Sequence, residues 1–267
     1  MGGTGHVAQE LALRPYQEEA IRAVQAHWAD GHPNVLGTAA TGAGKTMVFL
    51  ELLNRQMREH GGRGLILAHR KELVEQPLER LGQYWPEWVE RAGIVMAERD
   101  ECDRDLVVAT VQTLMSRRRL RRLIAHGPIQ WLITDECHHS IAEGYGRVYE
   151  ALHAANPEMR HLGVTATPIR ADGSGLVAVY DAEAFHYGIR EMVRMGYLVP
   201  PRWLAIATGI SLQGVKKLAG DYSAKSLANV YETENCFDLV VASHHKYAPG
   251  RQAIAFTPTV EGAYRLA

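Results

Sequence analysis

The chain reads as an α/β protein: a parallel sheet covered on both faces, followed by the start of a second, smaller domain. Three observations predict this. Short, continuously apolar runs alternate with amphipathic stretches of helical period. A glycine-rich turn, Ala39-Ala40-Thr41-Gly42-Ala43-Gly44-Lys45-Thr46, joins one apolar run to one such helix. The residues able to do chemistry, Gln17 apart, stand just after apolar runs, where parallel sheets hold their ligands at the carboxyl ends of the strands.

Bulk properties narrow the class. A length of 267 residues suits one large domain, or one domain and part of another. Hydrophobic content of 46% and charged content of 22% are those of an ordinary soluble globular protein. The net charge of −1 gives no global basic field, so a nucleic-acid contact needs a local patch. Cys102, Cys137 and Cys236 are odd in number and far apart, with no CxxC, which predicts reduced thiols and a cytoplasmic protein. No apolar run approaches a membrane span, and the glycine-rich start predicts a loose terminus without a signal peptide.

Taken in order, 11–28 predicts a lead-in and a helix, with Pro15 in the first turn and Ala20, Ile21, Val24 and Trp28 on one face. A strand over 34–38 leads into the glycine-rich turn and a helix from Met47. Strands follow over 64–68, 91–96, 105–109, 130–134 and 160–165, and helices over 71–83, 111–125 and 146–154. Pro200-Pro201 cannot continue a helix, so the boundary is set between 1–198 and 199–267. The second part predicts strands over 203–207 and 252–256, with helices over 223–230, 236–245 and from Val260.

The glycine-rich turn is the strongest chemical signal. Gly42 and Gly44 let several backbone N–H groups face one anion, and the following helix adds its positive end. Thr41, Gly42, Ala43 and Gly44 form this cradle, Lys45 adds a charge for the outer phosphates, and the Thr46 hydroxyl can hold a magnesium ion. Ala39 stands where the usual pattern has its first glycine. Asp135-Glu136 follows an apolar strand, where a nucleotide-bound magnesium needs a carboxylate and an attacking water needs orienting. In isolation such a pair is a solvated acidic strand end.

Asp135-Glu136-Cys137-His138 resembles the DExH box of the superfamily 2 helicases, and that superfamily's other signatures stand around it in order. Arg14-Pro15-Tyr16-Gln17 is similar to the adenine-reading Q motif, and 39–46 to motif I. Leu67-Ala68-His69-Arg70-Lys71-Glu72-Leu73 resembles motif Ia, and Ala109-Thr110-Val111-Gln112-Thr113-Leu114 resembles Ib. Thr165-Ala166-Thr167-Pro168 matches motif III, and Phe256-Thr257-Pro258-Thr259 resembles motif IV, which in the family opens the second RecA-like domain. His138-His139 and the run 163–173 look like the RadD-like or restriction-enzyme branch. The Pro-Thr-Arg wording of DEAD-box motif Ia is absent, which favours DNA over RNA.

The resemblance implies a RecA-like P-loop NTPase that uses ATP and Mg2+ to move on or remodel nucleic acid. It gives Gln17 the adenine edge and lets Arg14 stack on the base. It makes Lys45, Asp135 and Glu136 the catalytic set, with Thr46 and Asp135 on magnesium. His138, Thr165 and Thr167 would couple nucleotide state to domain closure. His69, Arg70, Thr110, Gln112, Thr113 and Thr257 would touch the sugar-phosphate backbone. Outside the resemblance, Gln17 is a polar helix start, Thr165-x-Thr167 is ordinary strand propensity, and His138 is a satisfied histidine. Arg117, Arg118, Arg119, Arg121 and Arg122 cannot all face one way, so two or three meet phosphates or the run is a solvated face. Motifs V and VI have no counterpart before Ala267, which implies a chain ending inside its second domain and turning ATP over weakly. The competing class is a short DNA- or partner-binding module with little turnover. Partner subunits such as a nuclease or a methyltransferase stay open.

Overall fold

The computed structural model describes residues 11–69, 72–167, 176–218 and 221–267. Its contacts separate two units, Met1–Pro200 and Pro201–Ala267. The first begins with α1 (Pro15–Ala29), where Gln17 Oε1 accepts the Arg14 N–H at 2.9 Å and so ties down the first turn. Ala20, Ile21, Val24 and Trp28 are buried on one face, as the helical period predicts.

Strand β1 (Asn34–Ala39) is followed by α2 (Lys45–His60), β2 (Arg63–Ala68), α3 (Glu72–Tyr84), β3 (Ala92–Met96), β4 (Arg99–Asp100) and β5 (Leu106–Thr110). Then come α4 (Val111–Leu114), α5 (Arg117–Ala125), β6 (Ile129–Asp135), α6 (Glu143–Ala155), β7 (Arg160–Thr165), β8 (Ala182–Tyr187) and α7 (Ile189–Arg194). The eight strands form one sheet in the order β4-β3-β5-β2-β6-β7-β1-β8. All pairings are parallel except that of β4 with β3. Alternate residues go to opposite faces. Ile66, Ile133 and Val164 pack with α1, α2 and α3, while Leu65, Leu67 and Leu132 pack with α4, α5 and α6. With both faces covered, the strands read as continuous apolar runs.

Arg55 fastens α1 to α2. Its guanidinium forks onto Glu18 at 2.8 Å on both sides, and its Nε reaches Glu51 at 2.7 Å. That clamp holds the start of α1 against the middle of α2.

Three expectations change. The single helix over 111–125 is two: Met115 ends α4, and Ser116 is extended (φ −66°, ψ 111°) before α5 starts. Thr110 drives the short α4 by accepting the Thr113 N–H, and the break lets Leu114, Leu120 and Leu123 share one core. The edge strand β8 is not among the predicted strands at all: it has no continuous apolar run, and among Ala182–Tyr187 only Phe185 is buried. In the second unit, 203–207 and 252–256 form no strand: Trp203 is 85% exposed and Phe256 is 94% exposed. Among the described residues there, the only sheet is the two-residue pair β9 (Lys217–Leu218) and β10 (Asp221–Tyr222), so neither run has a ladder partner.

Helices α8 (Ala224–Tyr231), α9 (Glu234–Tyr247) and α10 (Val260–Leu266) make up the rest of that unit. Thr259 caps α10, its hydroxyl oxygen accepting the Gly262 N–H at 3.0 Å, and the Glu232 carboxylate holds that cap by accepting the Thr259 N–H at 2.8 Å and the Thr259 hydroxyl at 2.7 Å.

Candidate active site

The sheet order places β6, β7 and β1 side by side, and register aligns their carboxyl ends. Thr38 stands beside Thr165, and Asp135 beside Val164. The glycine-rich turn after β1, the acidic pair at the end of β6 and Thr165 at the end of β7 therefore open at the same edge of the sheet.

Gly42 and Gly44 have φ of +84° and +75°, in the left-handed region that glycine enters without a Cβ penalty. A Cβ on Gly44 would also meet Gln17 Nε2 at 2.6 Å. The start of α1 braces the turn from below. The Tyr16 hydroxyl donates to Ala43 O at 2.6 Å, and Gln17 Nε2 donates to Gly44 O at 3.5 Å. On the other side the Ala40 N–H donates to Tyr187 O on β8 at 2.9 Å. Thr41 and Gly42 are exposed, Lys45 and Thr46 half-buried, and Lys45 Nζ donates to Ala39 O at 3.2 Å.

Burial pushes the Asp135 carboxyl up to about 6, and the Glu136 charge adds to this. The Glu136 N–H, which donates to Asp135 Oδ1 at 2.9 Å, and the Lys45 ammonium pull it back. The Lys45 ammonium thus acts on the Asp135 carboxyl across the ends of β1 and β6. Glu136 has φ +49°, a strained conformation for a residue with a Cβ. His138 Nδ1 lies 3.0 Å from Thr165 Oγ1 and 3.3 Å from Glu136 Oε2. Thr165 Oγ1 in turn accepts the Thr167 N–H at 3.1 Å.

Beneath the box runs a buried polar network. The Thr134 hydroxyl is 2.9 Å from both the Tyr149 hydroxyl and His161 Nε2. The Ser140 hydroxyl meets Tyr149 at 2.9 Å and Tyr180 at 3.1 Å. Complete burial, with a smaller push from the His153 charge, drives the His161 imidazole down to about 3, so it is neutral. Burial drives the Tyr149 hydroxyl and the Cys137 thiol upward.

The ResIII family, described as type III restriction enzyme, res subunit, matches residues 10–170. The chain belongs to that family. It is 30% identical over 243 residues to the Saccharomyces cerevisiae protein named "Putative ATP-dependent helicase IRC3", covering 88% of this chain and 35% of the relative. The chain spans about a third of the length of the curated relatives it matches, 35% and 32% for two of them. Among solved structures it resembles the nuclease-deletion mutant of the Type ISP restriction-modification enzyme LlaGI in complex with a DNA substrate mimic. That match has a TM-score of 0.55 and 16% identity, over 88% of this chain and 24% of the other. The Pyrococcus furiosus Hef helicase domain matches with a TM-score of 0.54 and 21% identity, over 66% and 37% of the two chains. These likenesses establish a RecA-like fold for this ResIII chain. Among its described residues no helix is long and apolar enough to cross a membrane.

Some expected site residues lie elsewhere or are already engaged. Both amide atoms of Gln17 are taken up by backbone, and the Arg14 guanidinium lies over the Tyr197 ring, 5.2 Å from its centroid. Thr110 and Thr113 pair through their hydroxyls at 2.8 Å, and Gln112 Nε2 donates to His69 O at 3.1 Å, joining the ends of β2 and β5. Arg70 and Pro168 lie outside the described residues. Thr257 belongs to the second unit, where its hydroxyl donates to Thr259 O at 2.7 Å. Of the five arginines, Arg119 donates to Ala97 O and Arg122 pairs with Asp100, so these two brace the β3–β4 turn. Arg117, Arg118 and Arg121 are exposed.

Sequence reasoning passed over Tyr16, although it stands inside the quoted Arg14-Pro15-Tyr16-Gln17. It also missed the Thr134–Tyr149–His161 network. Those residues come from β6, α6 and β7, and no local pattern joins them.

Proposed function

We propose that this chain is the ATP-binding part of an ATP-driven DNA helicase or translocase, with 1–198 as its first RecA-like domain and 199–267 as the start of a second. The observation that carries this is the convergence of Lys45, Asp135–Glu136 and Thr165 at the aligned ends of β1, β6 and β7. The residues present fit a magnesium nucleotide. The left-handed glycines 42 and 44 form an anion cradle at the start of α2, and the half-buried Thr46 hydroxyl and the Asp135 carboxylate supply oxygen ligands. Magnesium uses few protein ligands and shares the rest with phosphates and water, and when bound it neutralises phosphate charge.

In this reading the ammonium of Lys45 leaves Ala39 O for the outer phosphates, and Glu136 orients the attacking water and accepts its proton. His138 links that carboxylate to Thr165, so the position of the β7 end is felt at Glu136. The ends of β2 and β5, with Thr110, Gln112 and Thr113, face the nucleic-acid backbone as positioning contacts without sequence information. DNA is favoured over RNA by the wording of motif Ia and by the family. Three free cysteines suit a reducing, cytoplasmic setting.

Binding of a fluorescent ATP analogue with magnesium tests the site. Lys45→Ala should weaken binding about tenfold or more, whereas Glu136→Gln should bind normally and lose turnover by about 10²–10⁴. Unchanged binding by Lys45→Ala would refute the site. Anisotropy with single-stranded DNA, duplex DNA and RNA tests the track, and preferential RNA binding would reverse the choice of DNA.

A further inference from the structure

Two imidazoles stack where the end of β2 meets the acidic box. The rings of His69 and His139 lie 3.6 Å apart between centroids, with planes 17° apart. β2 and β6 are neighbours, with Leu67 beside Thr134, so the stack bridges two adjacent strand ends. The His139 ring also leans on His138, 4.1 Å away and tilted by 44°. His138 Nδ1 in turn touches both Glu136 Oε2 and Thr165 Oγ1. On the far side, His69 Nδ1 is 3.3 Å from the Tyr145 hydroxyl, and His69 O accepts from Gln112 Nε2.

The result is an unbroken series of contacts from the Glu136 carboxylate to the segments that follow β2 and β5. A nearly parallel ring pair at contact distance transmits displacement. If the backbone at His69 moves, His139 must follow or the contact between these two half-buried rings is lost. His139 rests against the ring that orients Glu136. Cys137, next to His138 in the same short turn, is buried and anchors that turn.

We propose that His139 is a positioning residue: through its stack on His69 it conveys nucleic-acid occupancy at the ends of β2 and β5 to the Glu136–His138–Thr165 cluster. Nucleotide and DNA then bind with coupled affinities. The inference rests on the function proposed above and deepens it by naming the physical link between the two ligands. By linkage the coupling is reciprocal, and effects of this kind lie at about 5–150-fold in affinity.

The test measures the Kd of a non-hydrolysable ATP analogue with magnesium, with and without saturating single-stranded DNA, on the whole chain. The quantity read is the ratio of the two values, so a uniform loss of affinity from a structural defect cancels. Wild type should show a ratio of about fivefold or more, and His139→Ala should bring it close to one. His139→Phe keeps a flat ring and should retain most of the ratio. His69→Ala should lose the coupling as His139→Ala does, and the double variant should lose no more. A wild-type ratio in His139→Ala, or losses that add in the double variant, overturns the proposal. So does a His139→Phe protein that behaves like His139→Ala. If wild type binds both ligands with no coupling, this inference falls and the function stands. If it binds no nucleotide, the proposed function itself fails.

Discussion

The two units hold equally apolar stretches with opposite fates. In β2 of the first unit Leu65, Ile66 and Leu67 are wholly buried, whereas in the second unit Ile254 is 83% exposed and Phe256 94%. Hydrophobicity is common to both, and neighbours make the difference. β2 lies between β5 and β6, which take up its backbone groups, and α2 and α6 cover its faces. The run over 252–256 has no ladder among the described residues of its unit. Apolar side chains make a strand possible, and an adjacent strand makes it form.

The sharpest way to break that contrast is a pair of truncations. Phe49→Ala, at a fully buried position in the second turn of α2, should cost about 3–5 kcal/mol of unfolding free energy. Phe256→Ala should stay within about 0.5 kcal/mol, because nothing packed is lost. Urea unfolding of both variants checks it, and similar costs would erase the distinction between the units.

A second difference is that the first unit buries titratable groups. His161 is neutral in the fold, with its imidazole pushed down to about 3, below the ordinary value of about 6.5. Its stabilising contribution is therefore complete above about pH 6.5 and is lost as pH falls toward 3. Asp135, pushed up to about 6, works in the opposite sense and relieves the fold as pH drops below that value. His161→Gln can still bond the Thr134 hydroxyl and carries no proton penalty. At about pH 7 it should be less stable than wild type by roughly 1–3 kcal/mol, and the gap should narrow steadily by about pH 4.5. A gap independent of pH would show that His161 is not held neutral.

Smaller effects test the polar fastenings of each unit. Glu232→Ala should cost about 1 kcal/mol by releasing Thr259, the cap of α10, seen as faster hydrogen exchange over Val260–Leu266. Arg55→Lys loses the forked contact with Glu18, yet this half-exposed pair should cost only about 0.5 kcal/mol by thermal unfolding.

Much of the first unit was legible in the sequence. Its buried strands announce themselves because both faces are covered, and Gly42 and Gly44 mark a turn that needs left-handed backbone. The edge strand β8 was not legible. Ala182-Glu183-Ala184-Phe185-His186-Tyr187 pairs on one side only and keeps polar residues that a central strand would exclude. In the candidate site, the action of Lys45 on Asp135 follows from β6, β7 and β1 being adjacent, which no local period states.

Residues alone determined most of the alternation of helices and central strands in the first unit, the glycine-rich turn and the acidic pair at the end of β6. These depend on side-chain period and backbone freedom, which are properties of covalent neighbours. Tertiary structure decided which apolar runs became strands, that Arg119 and Arg122 brace a turn, and that His69 lies flat against His139. Each of those outcomes depends on a partner brought from far along the chain, and the free energy of such contacts exists only once the sheet has assembled.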